Sequence, residues 1–74
     1  MKNIEIERET ARIERIVDKH IPGLLDDLVD RLPDRVTDKE YLAGIYFIYK
    51  ACLKGKKRAK LAADVFLANM LQKY

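Results

Sequence analysis

The clearest structural signal in this 74-residue chain lies at its centre, in the stretch Val36-Thr37-Asp38-Lys39-Glu40-Tyr41. The Thr37 side chain is placed to accept a hydrogen bond from the backbone N–H of Glu40, and the Glu40 carboxylate to accept one from the N–H of Thr37. Val36 and Tyr41 occupy the two positions of a hydrophobic staple around this capping box. The pattern predicts that a helix begins at Asp38 and that Gly55 is its left-handed terminator.

Hydrophobic periodicity and chain-breaking residues divide the remaining sequence into three more helices. Apolar residues from Ile6 to Ile21 recur on one arc of a helical wheel. Pro22 ends this helix and can occupy the first turn of the next, which Pro33 stops. No segment alternates with the period of a strand. We therefore predict an all-α, small, compact four-helix bundle, a single helical domain over residues 1–74 with helices at about 4–20, 22–32, 38–54 and 57–73.

The same periodicity predicts which side chains form the core. In helix 2 the leucines and Val29 fall on one side, and in helix 3 the core arc runs from Tyr41 to Leu53. In helix 4 a wide stripe runs from Ala59 to Tyr74. Asp26, Asp27 and Asp30 lie opposite the leucines of helix 2, so we expect them to form a solvated acidic face.

Composition excludes several classes of protein. One cysteine cannot form an internal disulfide, and one cysteine with one histidine cannot supply the usual four ligands of structural zinc. The charged N-terminus has no apolar stretch of the signal-peptide kind, and no apolar run approaches the ~20 residues of a membrane span. A cytoplasmic location is the expectation. Charged residues make up 36% of the chain, a thermophile-like composition in which ion pairs gain value at high temperature.

Charge is distributed unevenly along the chain. Residues 1–38 carry a net charge of −3 and residues 39–74 a net charge of +6. The positive charge is concentrated in one corner between helices 3 and 4, formed by Lys54, Lys56, Lys57, Arg58 and Lys60. This basic corner is a candidate site for the backbone of RNA or DNA, bound without sequence preference. The alternative is a solvated turn in which Lys60 pairs with Asp64 one helical turn away.

Helices 3 and 4 are apolar on more than one side, which is typical of a helix that is central in a fold or buried by another subunit. Because four short helices offer little to cover both sides, we favour a homodimer. The candidate interface residues are Gly44, Phe47, Ala51, Leu61, Val65 and Ala68. Phe47, flanked by Lys50 and Lys54, is open to a second interpretation as a stacking platform for single-stranded nucleic acid.

No combination of residues indicates catalysis, a cofactor, a metal or a small-molecule substrate. His20 lies near the end of helix 1 with no second histidine or nucleophile assignable to it, so a capping or core-edge role is expected. Cys52 lies on the core arc of helix 3, which predicts a buried, inert thiol. The sequence thus favours a non-enzymatic helical interaction module that self-associates through helices 3 and 4, with nucleic-acid binding at the basic corner as the alternative.

Overall fold

The computed structural model contains four helices, α1 (Lys2–His20), α2 (Leu24–Arg31), α3 (Asp38–Cys52) and α4 (Lys56–Lys73). It describes the backbone of residues 2–74 and the side chains of residues 4–74, and no strand occurs among them. The radius of gyration is 11.7 Å, near the roughly 11 Å expected of a compact chain of this length. The predicted all-α four-helix bundle is confirmed. None of the helices in the described part of the chain is long and apolar enough to cross a bilayer.

Two helix boundaries differ from prediction for local reasons. Helix α2 begins at Leu24 and not at residue 22, because Pro22 lies in a turn and Gly23 takes the N-cap position with a φ of 87°. Helix α3 ends at Cys52, and Gly55 follows with a φ of 132° and a ψ of 162°. These angles lie outside the left-handed helical region that was predicted for Gly55, in a region populated almost only by glycine. Gly55 therefore separates the two helices and serves as the N-cap of α4.

Helix α3 is the central element of the bundle. It packs most extensively against α4 and α1, while the short α2 bridges α1 and α4. The largest fully buried side chains come from α1 and α3, and they are Ile13, Val17, Ile45 and Ile48. Three residues predicted for the core arcs are instead largely exposed, namely Val29, Leu53 and Tyr74. Leu53 follows the last residue of α3, and Val29 lies on α2, which packs against α1 and α4 and leaves the Val29 side chain half exposed.

The close approach of α3 and α4 depends on Gly44. This glycine is buried, and the ring of Phe66 on α4 lies directly over it. A Cβ atom at residue 44 would stand only 2.3 Å from the Phe66 ring. Small buried side chains on α4, Ala59, Ala62 and Ala63, line the same contact region of the core. The glycine thus serves packing within the chain, where the sequence had placed it at a subunit interface.

Polar contacts fix α1 against α3. The Tyr46 hydroxyl donates to a carboxylate oxygen of Glu9 at 2.9 Å, and Arg12 holds the same carboxylate with two hydrogen bonds of 3.0 and 2.7 Å. Arg12 first, and then Tyr46, lower the pKa of Glu9 to about 2. A second tyrosine, Tyr41, donates to Glu14 at 2.6 Å. Both tyrosines thereby place their polar ends at the surface while their rings pack against the core.

The predicted capping box is present at the start of α3. Glu40 N–H donates to Thr37 Oγ1 at 3.2 Å, and Thr37 N–H donates to Glu40 Oε1 at 2.9 Å. The Glu40 carboxylate also accepts hydrogen bonds from Lys73 and from the Tyr74 hydroxyl. Lys73, then the Thr37 N–H and the Tyr74 hydroxyl, lower the pKa of Glu40 to about 2. One side chain therefore caps α3 and ties the end of α4 to it.

Candidate functional site

A groove between α3 and α4 is the first candidate site, and we call it the basic groove. It has a volume of about 360 Å³. Each helix contributes residues spaced by three, four and seven positions, the spacing that places side chains on one helix face. The lining residues are Phe47, Lys50, Ala51 and Lys54 from α3 and the turn after it, and Arg58, Leu61, Ala62 and Val65 from α4.

The basic groove joins residues that the sequence had assigned to two separate sites. Lys54 and Arg58 belong to the predicted basic corner, and four others belong to the predicted interface, Phe47, Ala51, Leu61 and Val65. Lys56, Lys57 and Lys60 are exposed but do not line the groove. Of the remaining interface candidates, Ala68 is exposed on α4 outside the groove, and Gly44 is buried under Phe66.

The floor of the basic groove is apolar and open to solvent. Phe47 retains 49% of its accessible surface, Leu61 60% and Val65 47%. On α3 the buried residues near this position are instead Ile45 and Ile48. On α4 the buried Ala62 forms part of the base of the groove. Three large apolar side chains are thus gathered in one place without an element of the described chain over them.

The cations of the basic groove have no counter-charge within the described residues. Its lining includes Lys50, Lys54 and Arg58 but no carboxylate. The side chains described from residue 4 onward form two ion pairs, Arg12–Glu9 and Lys73–Glu40, and both lie elsewhere. The predicted pairing of Lys60 with Asp64 is therefore wrong for this structure: both residues are exposed, and solvent competes for their charges. The groove presents positive charge that is available to a partner.

A second groove has the opposite charge, and sequence reasoning missed it. This acidic groove has a volume of about 350 Å³ and lies where α1, the α2–α3 connection and the start of α3 meet. Three carboxylates line it and, among the described residues, no cation does. The lining residues are Glu14, Val29, Leu32, Pro33, Asp34, Val36, Asp38 and Tyr41. The one feature of the sequence that could have indicated this groove was the excess of acidic residues in its first half.

Tyr41 reports the electrostatic character of the acidic groove. Its hydroxyl donates to Glu14, and its pKa is raised, first by burial and then by that hydrogen bond and by the nearby charges of Glu14, Asp18 and Asp26. Each of these influences disfavours a tyrosinate anion. Val29, 50% exposed, stands at the edge of this groove. The acidic groove therefore combines negative potential with an exposed apolar side chain.

The two residues most often used in chemistry have structural positions here. His20 Nδ1 lies 2.9 Å from the carbonyl oxygen of Ile16, so the nitrogen donates to the last turn of α1, as a capping role requires. Cys52 is a buried free thiol, and burial raises its pKa, which disfavours the reactive thiolate. No cluster of three potential metal ligands occurs in the described part of the chain.

The chemistry of these two grooves is the basis on which a function can be inferred. The basic groove offers apolar surface with unpaired cations, and the acidic groove offers apolar surface with carboxylates. No protein-family model matches the chain, and no curated protein or solved structure is significantly similar to it.

Proposed function

We propose that this protein is a small non-enzymatic interaction module that self-associates through α3 and α4, with the basic groove as its contact surface and a homodimer as its smallest assembly. One observation carries the proposal: Phe47, Leu61 and Val65 are about half exposed and line one groove. Contiguous apolar surface of this kind marks a protein contact more often than isolated exposed residues do. A cytoplasmic setting belongs to the proposal, as the sequence led us to expect.

The size of the apolar surface predicts a weak association. Full burial of a large apolar side chain contributes about 1.5–3 kcal/mol, so covering the exposed half of each gives roughly 1 kcal/mol. The three side chains of one groove then contribute roughly 3 kcal/mol, and the partner surface must add a similar amount. Association costs about 4–15 kcal/mol in lost translation and rotation. The apolar gain of roughly 6 kcal/mol exceeds this cost only at its lower end, so self-association is expected to be weak, to depend on protein concentration and to reverse on dilution.

Phe47→Lys tests the proposal directly. The parent is expected to rise above its monomer mass of 8.6 kDa with increasing concentration in sedimentation equilibrium. The variant is expected to stay at the monomer mass while its far-ultraviolet circular dichroism matches the parent, because Phe47 is half exposed and its removal leaves the core intact. Leu71→Lys is the matched control, since Leu71 is 56% exposed on α4 but lines neither groove.

Three outcomes would overturn self-association through this groove. A parent that remains monomeric at all concentrations shows that the exposed apolar residues are not covered by a second copy. A Phe47→Lys variant that self-associates as the parent does, while folded, places the contact elsewhere on the molecule. If Phe47→Lys unfolds the chain and Leu71→Lys does not, Phe47 belongs to the intramolecular core.

Binding of RNA or DNA is the second candidate, and a separate observation favours it. Lys54 and Arg58 are without ion-pair partners in the described residues and line the same groove as Phe47. A single strand would find cations for its phosphates and a ring on which a base can stack. The other three members of the basic corner, Lys56, Lys57 and Lys60, are exposed around the same turn.

Charge reversal at the basic corner tests this second candidate. Lys56→Glu, Lys57→Glu and Arg58→Glu together are expected to leave the fold intact, because acidic groups suit the positive N-terminal end of α4. If the parent binds a labelled single-stranded oligonucleotide, the triple variant should lose that binding, and the parent's affinity should fall between ~50 and ~200 mM salt. An absence of binding by the parent at the lower salt concentration would eliminate this function.

A further inference from the structure

The basic and acidic grooves have opposite charge, and both expose apolar surface. The first is lined by three cations and the second by three carboxylates, and neither includes a described residue of the opposite charge. Three apolar side chains that line the basic groove, and one that lines the acidic groove, Val29, remain about half exposed. Such a match of charge and apolar surface is what a specific protein contact requires.

The two grooves cannot meet within one molecule. Helix α3 separates them, since it packs against α4 on the side of the basic groove and against α1 on the side of the acidic groove. A contact between two basic grooves would bring Lys50, Lys54 and Arg58 from both copies into one interface, with no carboxylate from either lining to neutralise them. Like charges brought together in an interface disfavour association. The acidic groove of another copy removes this repulsion.

We propose that the basic groove of one copy binds the acidic groove of a second copy, so that the chain associates head to tail. This inference rests on the self-association proposed above and names the partner surface. Val29 at the edge of the acidic groove packs against the exposed side of Phe47 and Leu61. The carboxylates of Glu14, Asp34 and Asp38 face the three cations of the basic groove. The charge distribution of the sequence, −3 in residues 1–38 and +6 in residues 39–74, supports the same polarity.

A head-to-tail contact has consequences that a two-fold symmetric contact lacks. A heterologous dimer keeps a free acidic groove on one copy and a free basic groove on the other, so growth continues to longer chains or closes into a ring. The contact also depends on charges at the surface, which salt screens. The parent is therefore expected to lose association as salt rises from ~50 to ~500 mM. A symmetric apolar contact would keep or gain association over that range.

Two double variants with altered charge test the polarity of the contact. The first, Lys54→Glu with Arg58→Glu, blocks the basic groove. The second, Val29→Lys with Asp34→Lys, blocks the acidic groove. All four residues are exposed, and none makes a side-chain hydrogen bond in the described structure, so both variants are expected to fold. Circular dichroism checks this expectation.

Each variant alone should remain monomeric at concentrations at which the parent associates. An equimolar mixture should recover a molar mass of at least twice the monomer's, because the first variant keeps a native acidic groove and the second keeps a native basic groove. The molar mass of the parent measured at increasing salt concentration tests the inference independently and needs no variant.

Each result bears on the inference in a distinct way. If the acidic-groove variant associates as the parent does, the contact is symmetric through the basic groove; the proposed function then stands and the head-to-tail inference fails. If both folded variants stay monomeric when mixed, the inference fails as well. A parent that is monomeric throughout defeats both proposals, and a parent whose mass rises only when oligonucleotide is added favours the nucleic-acid function. A loss of association in salt together with recovery on mixing supports the inference.

Discussion

The ring of Phe66 lies over Gly44 and determines whether Gly44→Ala raises or lowers the free energy of unfolding. In Gly44→Ala the new Cβ would stand 2.3 Å from Cζ of Phe66 and less than 2.6 Å from both Cε atoms. Carbon atoms pack at about 3.5 Å or more, so the ring would have to retreat by roughly 1 Å. Phe66 is buried, and its displacement disturbs the neighbouring core.

Two opposing effects determine the size of the change. Overpacking a well-packed core costs about 1–3 kcal/mol. Replacing a helical glycine by alanine stabilises the helix by about 0.5–1 kcal/mol. The strain exceeds the gain, so Gly44→Ala is expected to lower the free energy of unfolding by about 1 kcal/mol. In a domain of this size that corresponds to a fall in Tm of about 4–8 °C.

The control is to make Gly44→Ala in a Phe66→Leu protein, in which the ring above residue 44 is absent. Phe66→Leu should itself be destabilised, because a buried side chain becomes smaller. Adding Gly44→Ala to it should raise stability, since only the helical gain remains. Urea unfolding followed by circular dichroism measures all four proteins and yields the coupling energy between the two positions. A parent that is stabilised by Gly44→Ala, or an equal loss in both backgrounds, would refute the role of the ring.

The remaining predictions concern the capping box at the start of α3. Thr37→Ala should lower stability by about 1 kcal/mol in urea unfolding, because the N–H of Glu40 loses its acceptor; unchanged midpoints would exclude the box as a contributor. Glu40→Ala should destabilise at least as much as Thr37→Ala, since that carboxylate also holds Lys73 and Tyr74. The pKa of Glu40 falls from an ordinary 4.5 to about 2 on folding, so its contribution is present above pH 4.5 and is lost as pH falls toward 2. Glu40→Gln should therefore be less stable than the parent at neutral pH, and its free energy of unfolding should fall less steeply between these two pH values. If the free energies of unfolding of the two proteins fall equally with pH, this account is wrong.

The sequence determined the helices because their signals are local. The capping box joins Thr37 and Glu40, three positions apart, and its two hydrogen bonds can be inferred without knowing any other part of the fold. Pro22 and Gly55 likewise interrupt helices through their own backbone restrictions. The errors at these sites were also local. Gly23 was not recognised as the cap of α2, and Gly55 caps the following helix instead of closing the preceding one.

The sequence predicted core residues correctly where neighbouring helices cover the whole apolar side of a helix. The prediction failed where that side is left uncovered. Ile13, Val17 and Ile48 are buried as their periodicity indicated. Val29 and Leu53 have similar side chains and similar wheel positions, yet they are exposed, because burial requires a neighbouring element at that point. Hydrophobic periodicity gives the direction of a side chain relative to its helix but does not show where the covering element ends.

The tertiary structure alone decided how the candidate sites are composed. The sequence grouped Phe47 with Lys50 and Lys54 on one side of helix 3, whereas only the packing of α3 on α4 adds Arg58, Leu61 and Val65 to the same groove. The acidic groove depends in the same way on Glu14 meeting Tyr41, 27 positions along the chain. Contacts over such separations depend on the rotation of each helix about its axis and on the distance between helices. The core sets both quantities, through features such as the ring of Phe66 over Gly44, and no local pattern in the sequence encodes them.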